Sequence, residues 1–418
     1  MTAAFDFCLP TNILYGAGRL DECGEAVKAL GNKAIIVCDP FAVEAGLASR
    51  LATVLAAEGV ASVVYDQVIP NPTNTLIDAG AELAVAEECD VAIGLGGGSS
   101  MDAAKGIAVA ATHPGPIWPY AMGDIDITDA TLPIVAVTTT SGTGSQCTCF
   151  AVISNHETQQ KPGMGSPYVI PALAVVDPEL MLTAPPALTA NTGFDVFTHA
   201  VEALTSNAAS PMSDLFAQEA IRLVAKNLPT CYRDGANLEA RAALALADTY
   251  SGIAICHAVV TLAHVMAHVI SGKYSDISHG DALFTIYREI LRFNATVLPE
   301  KHAFVAQQLV PGTDDVVAAF EQFFAAFQFE NKLKAKDLDD AAIAAIAEDT
   351  FTYMKAITEL NPREADVADL ARLNQTFQSV QGFLDRRGLA RAPCRGATRR
   401  ASRPERRPPV RPPCFSPV

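Results

Sequence analysis

Five side chains between positions 195 and 279 have the types and spacing to hold a divalent metal ion. Asp195 and His199 stand four apart in Gly193-Phe194-Asp195-Val196-Phe197-Thr198-His199. On a helix that spacing puts both on one face. His264 and His268 repeat it in Ala263-His264-Val265-Met266-Ala267-His268, an otherwise apolar stretch, and His279 follows where a further helix begins. The chain holds eight histidines, and three of them fall between positions 264 and 279. A single histidine on an apolar face is usually a packed core residue. Three together, with an Asp/His pair upstream, match the N/O donor set that Zn²⁺ or Fe²⁺ requires.

A second set of residues suits a dinucleotide. Gly94-Leu95-Gly96-Gly97-Gly98-Ser99-Ser100 follows an apolar strand and opens a helix that carries Asp102 and Lys105. Glycines let the backbone turn tightly and approach a ligand. The free amides of the helix start then suit a diphosphate, although the run is not the usual G-x-G-x-x-G pattern. Asp39 closes the strand over 35–38. A carboxylate there can take both hydroxyls of an adenosine ribose and repel a 2′-phosphate, which favours NAD over NADP; capping the next turn is the equal alternative. Thr138-Thr139-Thr140-Ser141-Gly142-Thr143-Gly144-Ser145 follows the strand over 134–137. Its small hydroxyl residues offer hydrogen-bond donors at the carboxyl end of a sheet.

The elements that must position these groups fall into two regions. Short apolar runs at 33–38, 62–65, 91–95 and 133–137 alternate with helical stretches at 45–58, 75–88 and 101–111. That alternation predicts a parallel sheet with helices on both faces. After about residue 180 strand-like runs give way to Ala-rich helical periodicity, with helices expected at 191–206, 212–226, 238–252, 257–271, 280–294, 303–310, 316–327, 341–356 and 364–379. The expected fold class is α/β: a Rossmann-like dinucleotide-binding domain over 1–180, then an all-helical metal-binding domain over 181–385. The stretch 386–418 holds 10 Arg and seven Pro with no apolar periodicity, and we expect a non-folding appendage.

Charge and cysteine usage narrow the setting. The net charge is −16, and without the basic tail the body carries 20 basic against 45 acidic residues. Such a body repels nucleic acid and anionic membrane. The ten cysteines show no CxxC pair and no framework of a secreted domain. No basic-then-apolar leader opens the chain, and no run of about 18 apolar residues appears. A cytoplasmic setting is the expectation, with a homodimer as the default assembly.

Taken together these residues resemble the iron-containing (group III) alcohol dehydrogenase family. The likeness spans nearly the whole body. It is carried by FCLPTNILYGAG at 7–18, Asn71-Pro72-Thr73, GGGSSMDAAK at 96–105, positions 139–145, VDPEL at 176–180, DVFTHAVE at 195–202 and Asn361-Pro362-Arg363. The resemblance implies a two-domain, dehydroquinate synthase-like arrangement with the active site in the cleft. It implies Fe²⁺ or Zn²⁺ at Asp195, His199, His264 and His279, with His268 near the nicotinamide as a proton relay. It sets Asp39, Gly97, Gly98, Ser99, Thr139, Thr140 and Lys161 against NAD; Asp102, on the helix after the glycine run, joins that candidate set. The implied reaction exchanges a hydride between an alcohol and NAD. Three departures touch the site: Val269 where the family often has Pro, one extra residue between His264 and His279, and bulky rings expected near the site at Phe150 and Phe197. The alternatives are a dehydroquinate synthase-like lyase that also uses NAD and a metal, and a maleylacetate-type reductase, which lacks the metal quartet.

Overall fold

Residues 33–38 alternate their side chains between two buried faces, and this alternation builds the sheet. Ala34, Ile36 and Cys38 pack on one side with Leu20, Leu51 and Leu55. Ile35 and Val37 pack on the other with Ile77, Ala104 and Ile107. A strand buried on both faces belongs inside a parallel sheet covered by helices. Each fully buried Ile or Leu contributes about 1.5–3 kcal/mol.

The structure, a computed structural model, describes residues 4–329, 333, 336, 338–370, 372 and 373. The tail 386–418 and positions 371 and 374–379 of the helix expected at 364–379 lie outside the described residues. The strands are β1 (Asn12–Tyr15), β2 (Lys33–Cys38), β3 (Ala61–Tyr65), β4 (Val91–Gly96), β5 (Ile134–Thr138), β6 (Phe150–Val152), β7 (Gly163–Gly165) and β8 (Leu173–Val176). Six form one parallel sheet in the order β1-β8-β5-β4-β2-β3, and β6 pairs antiparallel with β7. The helices of this lobe are α1 (Gly24–Lys28), α2 (Pro40–Glu44), α3 (Leu47–Ala57), α4 (Asn74–Ala86), α5 (Gly98–Ala110) and α6 (Trp118–Met122).

After β8 no described strand follows. The helical lobe comprises α7 (Pro186–Thr205), α8 (Pro211–Arg233), α9 (Leu238–Ala258), α10 (Leu262–Lys273), α11 (His279–Asn294), α12 (Pro299–Leu309), α13 (Val316–Phe324), α14 (Asp340–Tyr353) and α15 (Lys355–Thr358). The described residues of both lobes belong to one compact unit. Its helical core closes around Phe194, which packs against Phe284, Tyr287, Phe320, Phe324 and Phe329. Among the described residues no single helix is long and apolar enough to cross a membrane.

Several expectations need correction. β1, β6, β7 and β8 are not among the expected strands; each is three or four residues long, too short to show a period. The helix expected at 341–356 is divided at Met354 into α14 and α15. The helix expected at 212–226 runs on through Pro229 to Arg233. The helix expected at 257–271 is two helices, α9 and α10, which meet at 102°. The break falls at Val259, whose φ of 60° is costly for a β-branched residue. Finally, Phe197 does not face the site. It is fully buried against Tyr287 and Phe324, because two residues along a helix is roughly 200° around it from Asp195. Phe150 turns its ring toward Gly165 across the β6–β7 hairpin.

Candidate metal centre and nucleotide cleft

Three imidazoles converge on one carboxylate oxygen. His264 Nε2 lies 3.4 Å from Asp195 Oδ1, His279 Nε2 3.6 Å and His199 Nε2 3.9 Å. Asp195 and His199 are one turn apart on α7, His264 opens α10, and His279 is the first residue of α11 behind the Ser278 cap. The donor atoms of Asp195, His199 and His264 all lie within 4.8 Å of one another. Ligands about 2 Å from a tetrahedral ion stand roughly 3.3 Å apart, so the donor spacing fits one ion. His279 lies outside that group of three: its Nε2 approaches Asp195 Oδ1, but its side chain is 21% exposed while the other three are nearly sealed.

The far side of the rings fixes which nitrogen is free. His199 Nδ1 lies 3.2 Å from the Gly142 carbonyl, and His264 Nδ1 lies 2.7 Å from Glu202 Oε1. Acceptors at Nδ1 hold a ring proton on that side, so Nε2 is the nitrogen directed at Asp195 and the one that would ligate a bound ion. Glu202 was not singled out from the sequence. It is 3% exposed, and its other oxygen accepts from the Thr261 amide and hydroxyl at the start of α10. One carboxylate thus caps the helix and orients its first histidine. Its signal was present: Asp195, His199 and Glu202 are spaced i, i+4, i+7 along one helical face.

The charges around the centre favour a cation. Burial pulls His264 down, but the Glu202 charge and the hydrogen bonds of Asp195 and Glu202 outweigh it and raise its pKa to about 9. Burial raises Glu202 in turn, and His264 and Thr261 bring it below its ordinary value. Burial lowers His199, and burial with the Lys161 charge holds His268 and His279 well below the usual imidazole range. Asp195 and Glu202 thus favour positive charge between them, carried by the His264 proton when no ion is bound, while His199, His268 and His279 stay neutral. His268, one turn beyond His264, has its ring centroid 5.1 Å from that of His279. The Nδ1 atoms of His268 and His279 are buried without a protein partner.

The dinucleotide candidates gather at the carboxyl edge of three adjacent strands. β4 pairs with β2 and β5, so Asp39, Gly97, Gly98, Thr139 and Thr140 share one end of the sheet, where α/β folds bind ligands. A Cβ on Gly98 would lie 2.4 Å from Thr143 Cγ2, and one on Gly97 3.1 Å from Thr140 Oγ1. Glycine here lets the two loops close on each other. Gly97 leaves the first turn of α5 without a side-chain cap, so its amides remain for an anion. Ser99 Oγ accepts from the Asn71 amide at 3.3 Å. Asp39 Oδ1 caps α2 through the Ala42 amide. Asp102 is engaged on both oxygens, by Ser145 Oγ and the Val152 amide, and so braces the loop after β5. Lys161 points its ammonium at Ser271 Oγ, and burial brings its pKa down to about 8 against the charges of Asp195 and Asp102.

A parallel nucleotide-binding sheet joined to a helical lobe that carries a His/Asp metal centre defines a metal- and dinucleotide-dependent class. The family model described as iron-containing alcohol dehydrogenase matches residues 10–178, and that of the Fe-containing alcohol dehydrogenase C-terminal domain matches 189–377. The chain belongs to the iron-containing alcohol dehydrogenase family. It is 36% identical to a 1,3-propanediol dehydrogenase of Citrobacter freundii over 372 residues, 88% of this chain and 92% of that one. It is 31% identical to an NAD-dependent methanol dehydrogenase of Bacillus methanolicus over 378 residues, 88% of this chain and 98% of that one. Among solved structures it is similar to an archaeal halo-thermophilic alcohol dehydrogenase from a Red Sea brine pool, with a TM-score of 0.85 and 37% identity over 90% of this chain and all of that one.

Proposed function

We propose that this chain transfers a hydride reversibly between a short primary alcohol or diol and NAD, at a divalent ion held by Asp195, His199, His264 and His279. The convergence of three Nε2 atoms on Asp195 Oδ1 carries this reading. It disfavours the metal-free reductase alternative, and the propanediol and methanol named for relatives support the substrate class. Iron is the ion the family's name suggests; zinc satisfies the same donors.

When bound, the ion supplies the Lewis acidity that favours loss of the hydroxyl proton, and the nicotinamide supplies the hydride acceptor. The protein's own residues do the rest. Asp195 offsets positive charge at the centre, while Glu202 and the Gly142 carbonyl hold His264 and His199 in the ligating tautomer. His268 is held neutral, and its Nδ1 lone pair has no protein partner, so it can take the departing proton and pass it on. Asp39, the uncapped start of α5 and Thr139 and Thr140 bind and orient the dinucleotide, with Ser99 and Lys161 beside them. The described cysteines are all free, which supports a cytoplasmic setting, and a homodimer is the assembly we propose.

The test is metal analysis of the purified protein together with NADH formation on an alcohol panel before and after chelation. About one equivalent of iron or zinc, with activity lost to chelator and restored by that ion, is the expected result. Activity indifferent to chelator, in a protein without metal, would refute the reading.

A further inference from the structure

A buried carboxylate on α9 stands one step behind the metal centre, and the residues discussed so far give it no role. Asp248 is 1% exposed. Its Oδ1 accepts from the Gly144 amide at 2.9 Å and its Oδ2 from Gln146 Nε2 at 2.8 Å; the Gly142 amide donates to the same carboxylate. All three donors lie on the loop after β5. The same loop presents the Gly142 carbonyl to His199 Nδ1. Its seat on α9 is close: Gly144 has a φ of 62°, and a Cβ there would lie 2.4 Å from Gly252 Cα. No cation pairs with Asp248 among the described ion pairs; burial raises its pKa to about 7, and the hydrogen bonds from Gln146, Gly144 and Gly142 oppose that rise.

We propose that Asp248 is a positioning residue for the metal centre: it holds segment 142–146 against α9, so that the Gly142 carbonyl fixes the tautomer and direction of His199. The assignment rests on the metal-dependent reading above. Asp248 touches neither ligand atoms nor reacting groups. It acts through two peptide amides and one carbonyl, and it ties the loop that begins at Thr139 and Thr140 to a metal ligand in the other lobe. Asparagine can take over the role. One oxygen keeps the amide bonds, and the Gln146 amide, whose Oε1 has no partner, can turn to accept from the new Nδ2.

The test is Co²⁺ titration of the metal-stripped full chain, read by the visible cobalt spectrum, for wild type, Asp248→Asn and Asp248→Ala. Outer-shell partners of metal ligands carry roughly tenfold to a hundredfold in affinity. Asp248→Ala is expected to bind Co²⁺ weaker by that range with an altered spectrum, and Asp248→Asn to bind within a few-fold of wild type. Wild-type Co²⁺ affinity in a folded Asp248→Ala protein, even one of lowered melting temperature, would overturn the proposal, as would asparagine behaving like alanine. If the alanine variant does not fold, Asp248→Ser, which keeps one acceptor, takes its place, and unchanged affinity again overturns the proposal. A wild-type protein that forms no NADH from any alcohol refutes the functional reading instead, and the cobalt titration still judges Asp248.

Discussion

Replacing Glu202 with glutamine changes one charge and almost no volume. The carboxylate accepts three hydrogen bonds, two from Thr261 and one from His264 Nδ1 at 2.7 Å. Glutamine offers one oxygen and one N–H₂ group. If its oxygen stays with Thr261, its N–H₂ faces His264 Nδ1 and drives the imidazole proton to Nε2, where the metal lone pair should be. If the oxygen serves His264, the start of α10 loses its cap. A hydrogen bond to a charged group is worth about 1.5–3 kcal/mol, and each tenfold in affinity is about 1.4 kcal/mol. Metal affinity in Glu202→Gln should therefore fall by roughly tenfold to a hundredfold, with His264 as the damaged ligand. Chelator competition on the loaded enzyme measures this directly. The control is Thr261→Val, which removes a hydroxyl bond to Glu202 but leaves His264 its acceptor and should bind metal within a few-fold of wild type. A folded Glu202→Gln protein that holds its ion as tightly as wild type would refute the reasoning, since the orientation of His264 would then owe nothing to this carboxylate.

His279→Ala should abolish tight metal binding, whereas His268→Ala should keep the metal and lower turnover by about a hundredfold; metal content and initial rates on the same preparations separate the two roles. Thiol labelling should be uneven. The Cys149 hydrogen bond lowers the pKa of half-buried Cys256, while burial raises those of Cys23, Cys38 and Cys147, so mass spectrometry after brief alkylation at neutral pH should find Cys256 and exposed Cys8 modified first. Burial holds His302 on α12 below its ordinary 6.5. The unfolded chain takes the proton before the folded one does, so this contribution to stability is full above that value and is lost as pH falls through the folded one. His302→Leu should accordingly show a smaller fall in melting temperature between pH 7 and pH 5 than wild type; an equal fall would contradict this.

The candidate metal centre was legible because ligation needs particular side chains at particular spacings. Asp195 and His199 announce a helical face, and the structure brings His264, with His279 further out, toward the same carboxylate oxygen. The central strands β2, β4 and β5 were legible because burial on both faces leaves a continuous apolar run. Residues that act through the backbone were harder to read. Asp248 serves amides on a distant loop and shows only as a charge in an apolar helix; Glu202 shares a helical face with Asp195 and His199, but its partners on α10 have no fixed sequence spacing to it. The break at Val259 has no Gly or Pro to mark it, and β1 and β8 are strands only because the sheet supplies their neighbours. Phe197 was misplaced because nearness in sequence to Asp195 is not nearness on a helix, where the two residues face opposite ways.

The joint between α9 and α10 determines where the chain can change length. Three residues, 259–261, link a helix bearing Asp248 to one bearing His264 and His268. A residue gained or lost between Thr261, which Glu202 pins, and His264 would turn both imidazoles by about 100° relative to that anchor and carry them off the centre. Segment 274–278, between α10 and α11, is under no such constraint, because His279 is set by its own cap at Ser278 rather than by the phase of α10. The extra residue between His264 and His279 can be absorbed there. Insertions and deletions in this half of the molecule should therefore accumulate after Lys273 and be absent between Thr261 and His264.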